Sequence, residues 1–225
     1  YFSYDLPCVI ICRGMTPPDD LLQAAAARDI AVYQTNMVTT KFTFTAINYL
    51  NRCLAPRVTR HGVLVDVYGV GVLLTGESGG GKSELVKRGH QLVADDVVDI
   101  CRVSDDRLTG ECPEMVRHFM EIRGIGIIDI RAMYGVGAVA LSKTIDLVMH
   151  MEKWVDGKEY DRLGLSEEYI TILGVKVPHQ IMPVRPGRNL AIVIEAAASN
   201  HRLKKMGYNG AQELNDRLSA KIQNG

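Results

Sequence analysis

The segment that decides the fold reads Gly76-Glu77-Ser78-Gly79-Gly80-Gly81-Lys82-Ser83 and fits G-x-x-x-x-G-K-[ST], the pattern of a phosphate-binding loop. The aliphatic run Val72-Leu73-Leu74-Thr75 before it predicts a buried strand, and the residues from Glu84 to Gly89 after it can begin a helix. Strand, glycine loop and helix in this order form the context in which such loops bind phosphate. A glycine-rich hairpin with an accidental Lys-Ser ending is the alternative, and eight constrained positions in this context disfavour it.

The residue types in this loop predict its chemistry. Glycines allow successive backbone N–H groups to converge on a phosphate, and the start of a helix adds partial positive charge. We expect Lys82 to reach the β- and γ-phosphates as a point charge and the Ser83 hydroxyl to bind Mg²⁺. The sequence therefore predicts binding of a nucleoside triphosphate or a similar polyphosphate.

Composition narrows the class of protein. Among the 225 residues, 26 basic side chains balance 26 acidic ones, so no overall field attracts nucleic acid or a membrane surface. No apolar run approaches the ~18 residues that a membrane span needs, and no signal peptide is recognisable. The five cysteines are an odd number without C-x-x-C spacing, which favours a reduced, cytoplasmic protein.

The first 57 residues predict the closing part of a small α/β domain. Strands are expected at Leu6–Cys12 and Ile30–Tyr33, and helices after Thr16 and from Thr39-Thr40, as an N-terminal cap, to Leu54. The first helix is expected to bury an apolar stripe of Leu21, Leu22, Ala25 and Ala26. This order is β-α-β-α, and residues 58–225 are expected to form the phosphate-loop domain with C-terminal helices.

In the larger domain, alternating valines from Val63 to Val67 and the turn Gly69-Val70-Gly71 predict a hairpin that leads into the loop. The hairpin is expected to place His61 and Asp66 on a strand that adjoins the nucleotide site. Further strands are predicted at Leu92–Ala94, Ile145–Met151 and Leu190–Ile194, and helical spacing runs from Ser199 to Ile222.

Phosphoryl transfer needs a second metal ligand, a base for the acceptor and cations for the developing charge. Acids that follow apolar strands are candidates for the first two roles: Asp95, Asp96 and Glu121. One carboxylate of the Asp95-Asp96 pair could hold metal or water while the other accepts a proton, and a helix or turn cap is the alternative role. Three arginines in turn settings suit the charge of a transferring phosphoryl group, although an exposed structural arginine is the default role for each taken singly: Arg162, Arg185 and Arg188.

Together these segments resemble the bacterial HPr kinase/phosphorylase family, from about Val58 to about Gly207. The matching segments are His61-Gly62, the loop from Gly76 to Ser83, Arg88-Gly89-His90 leading to Ala94-Asp95-Asp96, the signature Glu121-Ile122-Arg123-Gly124-Ile125-Gly126-Ile127-Ile128-Asp129, Asp161-Arg162-Leu163-Gly164, and Pro183-Val184-Arg185-Pro186-Gly187-Arg188 followed by Asn189-Leu190-Ala191. Residues 1 to about 57 resemble the end of the family's N-terminal domain, whose opening half is absent here.

The resemblance implies a mixed-sheet α/β catalytic domain related in its core to phosphoenolpyruvate carboxykinase. It implies phosphorylation of a serine on HPr, a phosphocarrier of the sugar phosphotransferase system, with Mg²⁺ and either ATP or pyrophosphate. It also implies removal of that phosphate by phosphorolysis, with inorganic phosphate as acceptor and pyrophosphate as product. Family members form homohexamers and control carbon catabolite repression.

By the same resemblance, Asp96 is the acid–base residue for the serine, and His61 tunes Asp96 or holds phosphate. Lys82 and Arg162 stabilise transferred charge, and Ser83 and Glu121 bind Mg²⁺. The stretch from Met120 to Asp129 serves both reactions, whereas the segment from Pro183 to Arg188 serves chiefly dephosphorylation.

One departure concerns the helix after the loop, because the family has roughly four more residues between Glu84 and Leu85. This is about one turn of helix. Either the protein tolerates a shorter helix or residues are missing from the chain, and we favour the second explanation. Two other functions stay open: a small-metabolite, carboxykinase-like phosphotransferase, and a nucleotide-binding regulator without turnover.

Overall fold

The structure is a computed structural model that describes residues 4–76, 81–160, 167–185 and 187–223. The chain divides into two compact units, Tyr1–Ala55 and Pro56–Gly225. No helix in the described ranges is both long and apolar enough to cross a membrane.

The N-terminal unit has the predicted β-α-β-α order. Its elements are β1 (Cys8–Ile11), α1 (Asp19–Ala26), β2 (Ala31–Gln34) and α2 (Thr39–Leu54), and β1 pairs with β2 in parallel.

Two details predicted for this unit are wrong. The cap position of α2 is Val38, which makes no side-chain cap bond, and Thr39 is already helical. The apolar stripe of α1 is also less buried than predicted, since Ala25 is the buried residue of that helix and Leu22 is 39% exposed. Two four-residue strands offer too little surface to cover a whole helix face.

The C-terminal unit contains, among its described residues, a six-stranded mixed sheet and a four-stranded sheet. The first, here called the central sheet, has the order β13-β14-β12-β5-β4-β6, and the second sheet has the order β11-β8-β7-β3. In the central sheet β12 is parallel to β5 and β14, and the other pairings are antiparallel. The strand bounds are β3 Arg57–His61, β4 Val63–Val67, β5 Val70–Gly76, β6 Gln91–Ala94, β7 Val97–Ser104, β8 Arg107–Glu111, β9 Phe119–Ile122, β10 Gly126–Asp129, β11 Ser142–Thr144, β12 Leu147–Lys153, β13 Glu168–Ile172 and β14 Val175–Val184.

Helices cover part of this framework, and their bounds are α3 Lys82–Lys87, α4 Ile130–Tyr134, α5 Leu190–Lys205 and α6 Gly210–Gln223. Strands β9 and β10 form an antiparallel hairpin of their own, which the glycine-punctuated signature encodes. The mixed α/β architecture agrees with the predicted fold class.

Hydrophobic cores lie on both faces of the central sheet. Successive strand residues point to opposite faces, so Val65 and Val72 pack in a cluster with α3 and α5, whereas Leu64 and Leu73 pack in a second cluster with β7 and β8. The alternating valines of β4 therefore do not indicate a strand with one solvent-exposed face. Leu64, between two of them, is fully buried.

The strand predicted at Leu190–Ile194 is wrong, because these residues form the start of α5. Asn189 caps the helix by accepting a hydrogen bond from the Ile192 N–H group. The buried positions 190, 191, 194 and 198 follow a helical period. A five-residue aliphatic window was too short to distinguish this period from a buried strand.

Asp66 lies on β4, which pairs with the strand that leads into the phosphate loop, as predicted, whereas His61 lies on β3 in the second sheet. β4 runs antiparallel to β5, so the end of β4 lies at the start of β5, far from the phosphate loop. There the Asp66 carboxylate accepts hydrogen bonds from the Gly69 N–H group (2.7 Å) and the Lys143 ammonium (2.6 Å). Asp66 is therefore a turn-stabilising residue.

Candidate active site

The phosphate loop joins β5 to α3, at the end of the central sheet where β5 ends. Glu77, Ser78, Gly79 and Gly80 lie outside the described residues, whereas Gly76 ends β5 and Gly81 immediately precedes the helix. Both described glycines have a left-handed backbone, with φ of +85° and +113°. A Cβ on Gly76 would lie 2.2 Å from the Met151 carbonyl oxygen, so the loop begins where only glycine fits.

Replacing Gly76 by alanine is expected to lower the free energy of unfolding by at least about 2 kcal/mol, because backbone strain and a clash with backbone act together. Gly89→Ala is the matched control: its φ is +92°, but nothing lies within 4 Å of the added Cβ. It should cost only about 1 kcal/mol, from conformation alone. Urea unfolding of the two variants measures the difference, and equal losses would contradict the packing argument.

The first carboxylate after β6 connects the loop helix to the signature hairpin. The Asp95 side chain is only 4% exposed, and its Oδ1 accepts a 2.8 Å hydrogen bond from Lys82 Nζ. Its Oδ2 accepts the Glu121 backbone N–H at 3.1 Å. The structure thus brings together Lys82, Asp95 and Glu121, which lie far apart in the chain.

The second carboxylate has a different environment. Asp96 is exposed and occupies the left-handed region at φ +69°, which a short polar side chain tolerates better than most. Its carbonyl oxygen accepts the Gly62 N–H at 2.9 Å, and the adjoining His61 is the ladder partner of Val97. His61 thus ends β3 in the second sheet, beside the acidic turn, and its exposed side chain makes no hydrogen bond to Asp96 in this described part of the chain.

The predicted Mg²⁺ ligands fit that ion by their chemistry. Ser83 follows Lys82 on α3, and both Lys82 Nζ and the Glu121 backbone N–H donate to Asp95, so the chain positions of a hydroxyl residue and of a second carboxylate residue are held close to Asp95. Mg²⁺ prefers oxygen ligands and keeps several waters or phosphate oxygens, so it needs only one or two protein ligands. The described ranges contain no group of three His, Cys, Asp or Glu side chains placed to hold a metal by themselves.

The segment predicted to serve dephosphorylation begins at the same end of the central sheet as the phosphate loop. Pro183 and Val184 are the last residues of β14. Strands β14, β12 and β5 are mutually parallel, so all three end on the same side of the sheet. The Arg185 guanidinium lies 3.4 Å from the Trp154 ring centroid in a cation–π contact. Gly187 and Arg188 follow as an exposed turn, and the Arg188 N–H donates to the Arg185 carbonyl oxygen at 3.3 Å. Pro186 and Arg162 lie outside the described residues.

Sequence reasoning missed an ionic network beneath the loop helix. The Glu195 carboxylate on α5 accepts from Arg88 Nε (2.6 Å) and Nη2 (2.7 Å), and His90 Nε2 lies 2.8 Å from the same group. These hydrogen bonds and the Arg88 charge lower the pKa of Glu195 from its ordinary 4.5 to about 2. The partners are more than 100 positions apart, so no spacing pattern indicates them.

Comparisons with known proteins show which family this sequence matches. The family model described as "HPr Serine kinase C-terminal domain" matches residues 52–218, and that described as "HPr Serine kinase N terminus" matches residues 1–50. An HPr kinase/phosphorylase from Thermoanaerobacter sp. (strain X514) is 55% identical over 228 positions, which cover 100% of this chain and 75% of the relative. One from Halalkalibacterium halodurans is 50% identical over 227 positions, covering 99% and 73%.

The first of these alignments is longer than the 225-residue chain, so it contains positions at which this chain has no residue.

A solved structure resembles the chain as well. The structure titled "Structure of the Hpr(Ser) kinase/phosphatase from Coxiella burnetii" is 37% identical with a TM-score of 0.59, and the match covers 70% of this chain and 98% of that one. Both family models together span nearly the whole sequence, and the relatives named above cover it almost end to end. The chain belongs to the HPr kinase/phosphorylase family of bifunctional enzymes.

Proposed function

We propose that the protein transfers a phosphoryl group from ATP or pyrophosphate to a serine of HPr and removes it again by phosphorolysis. In the reverse reaction inorganic phosphate is the acceptor and pyrophosphate is the product. One observation carries this proposal: Lys82 Nζ and the Glu121 backbone N–H both donate hydrogen bonds to Asp95, and the next residue, Asp96, is exposed.

Asp96 is the group that handles the serine proton. The Asp95 carboxylate is buried and already accepts hydrogen bonds from Lys82 and the Glu121 backbone. Asp96 is exposed and can meet a hydroxyl presented by another protein. In the forward direction the serine oxygen forms a bond to the terminal phosphorus, the donor's bridging bond breaks, and the serine proton passes to Asp96. In reverse Asp96 returns a proton to the leaving serine oxygen, as microscopic reversibility requires.

The other site residues stabilise charge. Lys82 shares its ammonium between Asp95 and the transferred phosphoryl group, and Arg162 adds a guanidinium for the same charge. Ser83 and Glu121 would hold Mg²⁺, which would supply neutralisation of the phosphate oxygens. His61, beside the turn that carries Asp96, holds the acceptor phosphate or tunes Asp96.

We further propose that the protein acts in the cytoplasm as a homohexamer that controls carbon catabolite repression. These features follow the family resemblance and the balanced charge of the chain. We expect neither nucleic acid nor membrane among its partners.

The forward reaction tests the proposal. Purified protein, HPr, Mg²⁺ and ATP are incubated, and the phosphate on HPr is located by mass spectrometry. Phosphoserine on HPr is the expected product. Nucleotide binding without transfer to HPr would instead assign the protein to a regulator class or to another acceptor.

Arg188→Ala is expected to lower the phosphorolysis rate by roughly tenfold and the kinase rate much less, because Arg188 lies in the segment assigned to phosphate acceptance. Arg217→Ala is the control, since Arg217 is an exposed arginine whose ion pair with Glu213 lies on α6. Both rates are measured on the same preparations. Equal losses of the two rates would refute the assignment of this segment chiefly to dephosphorylation.

A further inference from the structure

A polar cleft lies in the C-terminal unit at the end of β5 opposite the phosphate loop. Its volume is about 780 Å³, which is in the range of small-molecule sites. Strand β5 has seven residues, so the cleft and the loop are roughly 20 Å apart. We name it the basic cleft, and its charged lining residues are Asp106, Arg107, Lys143, Asp146, Lys176 and Lys205.

Two of the four cations are held in place by aspartates. Lys143 Nζ donates to Asp66 at 2.6 Å, and Lys205 Nζ donates to Asp146 at 2.7 Å. Each aspartate also accepts a turn N–H, from Gly69 at 2.7 Å and from Gly71 at 2.9 Å. These aspartates thus fix the ammonium groups at the cleft wall and are themselves already hydrogen-bonded.

The other two cations have no such neutralisation. Arg107 on β8 and Lys176 on β14 are exposed, and neither makes an ion pair or side-chain hydrogen bond to any described residue. The remaining acid, Asp106, accepts a hydrogen bond from Ser104 Oγ at 2.9 Å. Hydroxyl-bearing residues also line the cleft, namely Thr109, Ser142 and Thr144. The cleft therefore offers cations and hydroxyl donors together.

The cleft wall is closely packed against the loop strand. A Cβ on Gly71 would lie 1.7 Å from the Thr144 carbonyl oxygen, so β5 and the chain beside β11 are in backbone contact. The Gly71 carbonyl oxygen also accepts the Asp146 N–H at 2.8 Å. Two sheets contribute to the lining, since β8 and β11 belong to the second sheet and β14 to the central sheet. This packing holds the backbone of β11, which carries Lys143, in position before a ligand arrives.

We propose that the basic cleft binds a small polyanion, carrying phosphate or carboxylate groups, at a site separate from the phosphate loop. The uncompensated Arg107 and Lys176 neutralise two of its charges. Lys143 and Lys205 donate additional hydrogen bonds to it from their ammonium groups. Charge-assisted hydrogen bonds of this kind are stronger than neutral ones.

Calorimetric titration of the whole protein with pyrophosphate, and separately with citrate, tests this site. Lys82→Ala serves as the background, so that binding at the phosphate loop is weakened. The cleft variant adds Arg107→Ala and Lys176→Ala. The matched control adds Lys41→Ala and Lys221→Ala, which remove the same charge from exposed positions elsewhere. Ionic strength is held constant with chloride, and circular dichroism checks that each variant is folded.

The cleft variant is expected to bind at least one probe roughly tenfold or more weakly than the background, whereas the control binds as the background does. Loss of pyrophosphate binding alone identifies a phosphorylated ligand, and loss of citrate binding identifies a carboxylate one. Affinity unchanged in the cleft variant, or reduced equally in the control, would overturn the proposal. Absence of measurable binding to the background protein would overturn it as well.

Discussion

Replacing Asp96 by asparagine is expected to slow phosphoryl transfer to HPr by about 10²–10⁴-fold, the usual contribution of a positioned acid–base residue. Asparagine keeps the size and polarity of the side chain but cannot accept the serine proton. The affinity for MgATP should change by no more than roughly twofold, because Asp96 makes no contact with Lys82 and its side chain is exposed. Initial rates with HPr and direct nucleotide binding measure the two quantities.

Asp95→Asn is the matched control, at the neighbouring position. Asp95 is buried against Lys82, so its replacement should change nucleotide affinity and stability as well as rate. The Asp96→Asn replacement should lower the rates of the forward and the reverse reaction by a similar factor. Activity that persists in Asp96→Asn would show that another group takes the proton.

Replacing Glu195 by glutamine is expected to lower the free energy of unfolding at pH 7 by about 2–3 kcal/mol. Removing one member of a hydrogen-bonded charge group leaves the other charges uncompensated, and the 37% exposure of the Arg88 side chain limits the loss to about this size. The variant leaves Arg88 and His90 without their anion beneath the loop helix. Urea unfolding followed by circular dichroism gives the difference.

The pH dependence of this difference has a definite sign. Because the carboxylate has a lower pKa in the folded state, its stabilisation is complete above about pH 4.5 and disappears as the pH falls toward about 2. The wild type and Glu195→Gln should therefore converge in stability over this window. Glu213→Gln removes an exposed pair on α6 and should cost under about 0.5 kcal/mol. A difference that stays constant with pH would contradict the ionic role of Glu195.

Local patterns were sufficient to predict much of the fold. The phosphate loop, its strand and the hairpin before it are short-range features, and so is the β-α-β-α order of the N-terminal unit. The start of α5 was predicted as a strand because Leu190 to Ile194 is uniformly aliphatic and the helical period shows only over a longer window. The strand that carries Asp66 was predictable, but its distance from the loop was not, because that distance depends on which end of an antiparallel pair faces the loop.

The candidate site was predictable residue by residue but not as an arrangement. Motif and resemblance named Lys82, Asp96 and Glu121, yet the sequence left open which aspartate of the pair binds Lys82. That choice depends on burial, which places Asp95 against the ammonium and leaves Asp96 in solvent. The Glu195 network and the Arg185–Trp154 contact join distant segments, so tertiary packing alone reveals them.

The reverse reaction tests the central claim most directly. Serine-phosphorylated HPr is incubated with the protein, Mg²⁺ and radiolabelled inorganic phosphate, and the products are separated. The account predicts that dephosphorylation requires added phosphate and that the label appears in pyrophosphate in equal amount to the HPr released. Dephosphorylation that proceeds without added phosphate, or with no label in pyrophosphate, would show hydrolysis and contradict it.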